Sequence, residues 1–254
     1  MNQKSFFQNQ SVTDLAAEQE FLAELNVETR IVLGFKVAED ILEKLLPLGW
    51  QSTPPEAGPS KGANLNVIFA DRLLVQNADG LPIDGQATNQ LAVIAVPARH
   101  LVSNAQGVLI VFGLSSKAEG TPGPYGVFAP ADVICERGLT VSQDEKVEVN
   151  ENWDFSGENG SRIGVQLQFK RGVPTRSQTE TKAFSYKNPS FYRIYRADQG
   201  ADVLYSKMNN VNSTLIEPSY QVSFLGLEPS KDKAELISII SLPWTVRRAF
   251  LPQL

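Results

Sequence analysis

One lysine and the segment after it carry the clearest chemical signal in this sequence. Lys146 precedes a stretch in which apolar residues alternate with polar ones, from Val147 through Val149 to Trp153. A lysine on a strand that faces an enclosed apolar interior is pushed toward its neutral form, because burial removes hydration from the ammonium group. The neutral amine is a nucleophile toward carbonyl carbon. The alternative is a solvated surface charge, since Lys146 directly follows two acidic residues and most lysines are exposed.

The composition excludes several other kinds of site. His100 is the only histidine and Cys135 is the only cysteine, so a zinc site with the usual nitrogen and sulfur ligands has too few of them. The net charge is −5, and no basic cluster is interleaved with aromatic residues, which argues against a nucleic-acid partner. We therefore expect no metal and no nucleic acid.

The sequence also indicates where the protein resides. No apolar segment is long enough to span a bilayer, and residues 1–10 lack the apolar stretch of a signal peptide. A single cysteine forms no intrachain disulfide, and a free thiol suits a reducing compartment. We expect a cytoplasmic protein without a membrane partner.

Most of the chain from residue 29 onward consists of short strand patterns separated by turns. Residues 161–171 alternate between apolar and polar or glycine, as in a half-buried strand. Residues 91–97 and 108–114 are almost entirely apolar, which is typical of strands buried on both faces. Residues 38–46 form a helix pattern, with acidic residues early and Lys44 late. This pattern predicts a mainly β fold, an antiparallel barrel or sandwich with a few peripheral helices.

The N-terminal region is predicted to be different. Residues 11–14 resemble a helix capping box, and Phe21, Leu22 and Leu25 lie near one face of a helix. We expect residues 1–28 to form a helical extension outside a β domain at residues 29–254. Such an extension could bind a partner, and a homo-oligomer is one expected form of the protein.

The order and spacing of these elements resemble the acetoacetate decarboxylase superfamily over about residues 30–252. The segments that carry the resemblance are a strand, helix and Leu-Leu-Pro sequence (residues 37–47), a Gly-x-Tyr turn (123–126), an Asn-Pro-x-aromatic strand (188–194), and the ending (220–225, 234–239 and 248–252). The resemblance implies an antiparallel acetoacetate decarboxylase-like barrel or double sandwich around an apolar cavity.

The resemblance also implies a lyase mechanism. In that family a lysine condenses with a β-ketoacid to form a Schiff base, and the iminium accepts the electron pair left when CO₂ departs. No organic cofactor is needed. Lys146 matches that lysine by its distance from the following turn. This sequence departs from the family in having Glu145 before it and Val147 after it, instead of proline and a second lysine, and Val127 where an acid is expected.

The candidate site follows from this comparison. The expected substrate is a small oxo acid or related carbonyl compound, and an arginine would hold its carboxylate through a bidentate fork. The catalytic candidates are Lys146 and Glu148, and the substrate-binding candidates are Arg30, Tyr125, Glu136 and Trp153. Two alternatives stay open. One is a barrel that binds a small apolar or carboxylate ligand, or uses Glu and Tyr for acid–base chemistry, without a Schiff base. The other is a structural or partner-binding role.

Overall fold

The structure, a computed structural model, describes residues 20–83, 88–117, 125–142, 147–208, 214–215, 219–223 and 234–252. These residues contain one helix and thirteen strands, so the fold is mainly β, as the sequence predicts. The elements are β1 (Glu20–Val37), α1 (Glu39–Leu45), β2 (Trp50–Ser52), β3 (Leu65–Gln76), β4 (Asn89–His100), β5 (Gln106–Ser115), β6 (Phe128–Val141), β7 (Val147–Gly157), β8 (Arg162–Lys170), β9 (Thr175–Ser185), β10 (Tyr192–Ser206), β11 (Thr214–Leu215), β12 (Ser219–Ser223) and β13 (Ala234–Pro252). Within this part of the chain, no helix has the length and apolar character needed to cross a bilayer.

Seven of the strands close into a barrel. The hydrogen-bonded order runs β5, β9, β10, β13, β1, β3 and β4, and β4 pairs again with β5. Six of the seven pairings are antiparallel, and the pairing of β5 with β9 is parallel. Closing a sheet in this way separates inward-facing from outward-facing side chains along every strand. The inward-facing set encloses the space in which a small molecule could be held.

A second sheet covers part of the outside of the barrel. It contains β6, β7 and β8, with the short strands β11 and β12 paired to β8. The main hydrophobic core lies between the two layers, where Phe69 of the barrel packs against Trp153 and Phe155 of β7, with ring centroids 5.9 and 6.1 Å apart. Helix α1 adds Ile41, Leu42 and Leu45 to the same buried core. The outer sheet and helix α1 therefore support the barrel wall from the outside.

Strand β1 shows how alternation gives the barrel wall two chemically different faces. Ile31 and Leu33 are fully buried in the outer core. Glu24, Asn26 and Glu28 occupy alternate positions on the opposite face and are also buried. Because successive side chains of a strand point to opposite faces, these polar residues all face the barrel interior.

The predicted N-terminal helix is wrong for the residues that the structure describes. Residues 20–28 form the first half of β1 and pair with β13, and from Leu25 onward they also pair with β3. The spacing of Phe21, Leu22 and Leu25 fits one face of a helix, but pairing with two neighbouring strands outweighs this weak local preference. Residues 1–19 lie outside the described residues, so a helical extension there, its domain boundary and any role in assembly stay predictions.

Candidate active site

A cavity of about 220 Å³ lies inside the barrel. The interior of a small barrel is either filled by side chains or just wide enough to hold one small ligand, and the space found here is of the second kind. All seven barrel strands line it, together with Tyr125, which precedes β6, and Phe128, the first residue of β6. The lining residues are Arg30, Ile68, Ala70, Leu91, Val93, Val108, Ile110, Tyr125, Phe128, Thr179, Thr181, Ala183, Tyr195, Ala197, Gln199 and Arg247.

The two halves of this cavity differ in chemistry. The neighbouring strands β10, β13 and β1 contribute Tyr195, Gln199, Arg247 and Arg30, and β9 adds the hydroxyl groups of Thr179 and Thr181. The neighbouring strands β3, β4 and β5 form the other half of the ring. They contribute apolar side chains only: Ile68, Ala70, Leu91, Val93, Val108 and Ile110. A bound molecule would therefore meet charge on one side and hydrocarbon on the other.

The two cavity arginines share one buried carboxylate. Glu28 Oε1 lies 2.7 Å from Arg30 Nη2 and 2.9 Å from Arg247 Nε. Arg247 Nη2 also donates a hydrogen bond to Glu28 Oε2 at 3.2 Å. The Glu28 side chain is completely buried, whereas those of Arg30 and Arg247 are 16% and 14% exposed. Both guanidinium groups therefore reach the cavity, and the carboxylate that fixes them does not.

This pair belongs to a larger buried cluster that has more positive than negative groups. Glu24 forms ion pairs with Arg72 and, at 3.1 Å, with Arg193. Arg72 Nη2 also donates to Asn26 Oδ1 at 2.6 Å. Burial opposes ionisation of Glu24, but the nearby arginines outweigh it and lower the pKa of Glu24 below its ordinary value. Across the described residues, the cluster holds four guanidinium groups against two carboxylates.

Two of these four guanidinium groups, those of Arg30 and Arg247, line the cavity. Burial, followed by repulsion from Arg247, lowers the pKa of Arg30 to about 10. Arg30 therefore remains a cation at neutral pH. Its Nε is buried and has no hydrogen-bond acceptor among the described residues. An anionic group in the cavity would reduce the repulsion between the two arginines.

Two tyrosines stand beside the arginines. The guanidinium carbon of Arg247 lies 4.3 Å from the ring centroid of Tyr195. The hydroxyl of Tyr125 lies 3.3 Å from that of Tyr195 and donates to the backbone oxygen of Ala183 at 3.1 Å. Burial, with the neighbouring Tyr195, raises the pKa of Tyr125 well above its ordinary value, so its hydroxyl stays protonated. The polar half of the cavity can thus bind a carboxylate and also donate a hydrogen bond to a neighbouring oxygen.

Tyr125 and Phe128 enter the wall where β5 changes partner. β5 pairs with β9 through Val108 to Ile110 and with β6 from Gly113 onward. A Cβ atom on Gly113 would lie 2.3 Å from the ring of Phe128, so only glycine permits this approach. The hydroxyl of Ser185 donates to the backbone oxygen of Tyr125 at 2.6 Å. These contacts hold both aromatic rings at the cavity.

Two of the predicted substrate-binding residues, Arg30 and Tyr125, are placed together in this cavity. Arg30 lies in the middle of β1, flanked by paired strands, and not in a solvated strand end. Lys146 lies outside the described residues, so its role stays a prediction. Its described neighbour Val147 pairs with Val141, at the opposite end of the 14-residue strand β6 from Phe128. At ~3.3 Å per residue, these two ends are roughly 40 Å apart along the strand.

The structure does not bring the other three candidates to the cavity. Trp153 is buried between the two layers, and its indole nitrogen donates to Glu151 at 3.0 Å. Glu136 is exposed and accepts a hydrogen bond from Asn152 at 3.1 Å, and Glu148 accepts one from Gln168. All three lie on the outer sheet, because β6 and β7 pair with each other and not around the barrel ring.

The sequence interpretation missed Glu28, Tyr195 and Arg247. A signal for Glu28 was present, because polar residues alternate from Glu24 to Arg30, but the helix prediction obscured it. Tyr195 lies in a segment with recognisable strand alternation, which does not reveal the direction of either face. Arg247 precedes a second arginine, and only the pairing of β13 shows which of the two faces inward.

Comparison with known proteins supports the fold. No protein-family model matches the sequence, and no curated protein sequence matches it. Among solved structures, an acetoacetate decarboxylase-like enzyme from Sphingomonas wittichii RW1 is similar over 100% of both chains, with a TM-score of 0.56 and 11% identity. The enduracididine biosynthesis enzyme MppR complexed with pyruvate is similar over 94% of this chain and 92% of its own, with a TM-score of 0.51 and 12% identity. The chain therefore has the acetoacetate decarboxylase-like fold, as the resemblance in its sequence predicts.

Proposed function

We propose that this protein is an acetoacetate decarboxylase-like enzyme that holds a small oxo acid in the barrel cavity, with its carboxylate between Arg30 and Arg247. The excess of guanidinium groups over carboxylates beside this cavity, whose other half is apolar, carries the proposal. Arginine matches a carboxylate with two parallel hydrogen bonds, and a low-dielectric surrounding strengthens the attraction. A ligand carboxylate would thus add the negative charge that the buried cluster lacks.

The oxo acid class rests on two supports. In the structure named above, MppR is complexed with pyruvate, a 2-oxo acid. In this chain Tyr195 lines the same half of the cavity as the arginines, and its ring centroid lies 4.3 Å from the guanidinium carbon of Arg247. Loss of CO₂ from a 3-oxo acid, or removal of a C3 proton from a 2-oxo acid, gives an enolate, and a hydrogen bond to its oxygen stabilises that charge. We assign this hydrogen bond to Tyr195.

Arginine replacement tests the proposal directly. Binding of pyruvate is measured by calorimetry for the wild type and for Arg30→Met, Arg247→Met and Arg196→Met. Arg196 is the matched control, because it lies on β10 but forms exposed ion pairs with Glu20 and Glu180. We expect the affinity for pyruvate to fall tenfold or more in Arg30→Met and Arg247→Met, since a charge-assisted hydrogen bond contributes about 1.5–3 kcal/mol. Unchanged affinity in all three variants would refute the proposal.

Arg247→Met leaves Glu28 with a single partner and could fail to fold. In that case Arg247→Lys replaces it, because lysine keeps the charge but lacks the planar fork. A circular dichroism spectrum identical to that of the wild type shows that the variant is folded. We expect pyruvate binding to be weakened in this variant as well.

A Schiff base on Lys146 is the second form of the proposed reaction. The resemblance in sequence supports it, whereas the described cavity lining contains no lysine. Borohydride reduction in the presence of pyruvate, followed by peptide mass spectrometry, separates the two forms. An adduct on Lys146 that disappears in Lys146→Ala supports the Schiff base. Turnover that persists in Lys146→Ala without any lysine adduct supports chemistry by the tyrosine and arginines.

A further inference from the structure

Each cavity arginine has an alanine as its direct neighbour on the adjoining strand. Arg30 of β1 lies opposite Ala70 of β3, which in turn lies opposite Leu91 of β4. Arg247 of β13 lies opposite Ala197 of β10, which in turn lies opposite Thr179 of β9. All six of these residues line the cavity. The same order, from arginine to alanine to a larger side chain, therefore occurs on both sides of the charged wall.

These alanines account for the open space. Directly opposed side chains on neighbouring strands have Cβ atoms only about 4.5–5.5 Å apart, so a larger residue at either position would lie against the guanidinium group. Leucine at position 70 or 197 would fill the volume beside the arginine, as side chains do in most small barrels. Alanine leaves room there for part of a ligand. This room is adjacent to the carboxylate position, and beside Ala70 it continues to Leu91 in the apolar half, whereas beside Ala197 it continues to Thr179.

We propose that Ala70 and Ala197 determine specificity, and that the site takes a monocarboxylate oxo acid with a branched apolar tail. This inference rests on the proposed function and adds the substrate class. A cavity of about 150 Å³ accommodates benzene, so the 220 Å³ found here holds a branched tail in addition to a carboxylate. The tail lies against Leu91, Val93 and Ile110, which offer no polar group to a second charge. A dicarboxylate is therefore rejected, because burying an unpaired charge is costly.

Three probes of similar chemistry test the substrate class. Pyruvate has no tail, 4-methyl-2-oxopentanoate adds three apolar carbons, and 2-oxoglutarate replaces the tail with a second carboxylate. Each buried methylene strengthens binding about fourfold, so the branched acid should bind on the order of 50-fold more tightly than pyruvate. 2-Oxoglutarate should bind at least about tenfold more weakly than the branched acid. Equal affinities for pyruvate and the branched acid would overturn the inference.

Two filling variants test the role of the alanines. Ala70→Leu and Ala197→Leu should abolish the preference for 4-methyl-2-oxopentanoate over pyruvate, because each leucine fills the space beside its arginine. Ala201→Leu is the control, because Ala201 is half-buried on the same strand as Ala197 but does not line the cavity. If Ala70→Leu does not fold, Ala197→Val, at a half-buried site, replaces it and should reduce the preference. If the folded leucine or valine variants still prefer 4-methyl-2-oxopentanoate over pyruvate, Ala70 and Ala197 do not determine specificity.

The two proposals fail in distinguishable ways. If the arginine variants lose pyruvate binding but the wild type shows no preference for the branched tail, the proposed substrate class is refuted and the proposed carboxylate site is still supported. If the wild type prefers the branched tail but the arginine variants bind pyruvate as tightly as the wild type, the proposed carboxylate site is refuted instead.

Discussion

The guanidinium group of Arg247 is stacked on the ring of Tyr195, with 4.3 Å between its central carbon and the ring centroid. A cation over an aromatic ring is stabilised by about 1–2 kcal/mol when partly buried, so the ring holds Arg247 in its binding orientation. We predict that Tyr195→Leu weakens pyruvate binding about 5–30-fold by calorimetry. Tyr195→Phe keeps the ring and should bind within about threefold of the wild type while losing turnover. Equal binding by the leucine and phenylalanine variants would contradict this role of the ring.

Replacing the carboxylate that both cavity arginines share should strongly destabilise the folded protein. Glu28→Gln leaves two buried guanidinium groups without their common counter-ion, which should lower the free energy of unfolding by about 3–5 kcal/mol. A ligand carboxylate replaces the lost charge, so saturating pyruvate should raise the melting temperature more in this variant than in the wild type. Glu180→Gln, which removes the exposed partner of Arg196, is the control and should change stability by less than about 1 kcal/mol. An equal effect of pyruvate on the wild type and Glu28→Gln would contradict the prediction.

Acid should weaken the buried cluster through Glu24. Its pKa is lowered in the folded state, because the attraction of Arg72 and Arg193 exceeds the cost of burial. Its stabilising contribution is therefore fully present above the ordinary pKa of 4.5 and is lost as the pH falls through the lower folded-state value. Urea unfolding at several pH values should show that the difference in the free energy of unfolding between the wild type and Glu24→Gln becomes smaller below about pH 4.5. A difference that does not change with pH would exclude this explanation. Glu235→Gln, at an exposed ion pair, serves as the control.

The close approach of Phe128 to Gly113 gives a test of the cavity wall. In Gly113→Ala the new methyl group would collide with the aromatic ring, which should lower the free energy of unfolding by about 1–3 kcal/mol. The matched control is Gly138→Ala, also in a strand, where the nearest heavy atom would be 3.9 Å away. That variant should stay within about 0.5 kcal/mol of the wild type in urea unfolding. Similar losses in the two variants would argue against this packing of Phe128.

Part of this architecture could be predicted from local patterns. Alternation in residues 161–171 predicts a strand, and β8 occupies Arg162–Lys170. The helix predicted at residues 38–46 is α1, Glu39–Leu45. These predictions hold because alternation and helix-dipole charges are properties of neighbouring residues. At the N-terminal end of the described chain local patterns misled, because residues 20–28, assigned to a helical extension, belong to the long strand β1, whose partner β13 is distant in sequence.

The candidate site was predictable only in part. Arg30 and Tyr125 line the cavity, but Trp153 has equally regular alternation and lies in the outer core. Alternation shows which residues share a face of a strand, but it does not show which layer each face packs against. That choice depends on strand pairing, so the outer-sheet positions of Glu136 and Glu148 could not be read from their sequence neighbourhood.

The sequence by itself determined a mainly β chain, the resemblance to the acetoacetate decarboxylase superfamily, and a row of alternating polar residues ending at Arg30. Only the tertiary structure decided that Glu28 and Arg247, 219 residues apart, form an ion pair inside a closed barrel. It also placed an alanine beside each cavity arginine. The physical reason is that ring closure and strand register are set by the packing of the whole sheet. Local preferences decide only which residues share a face.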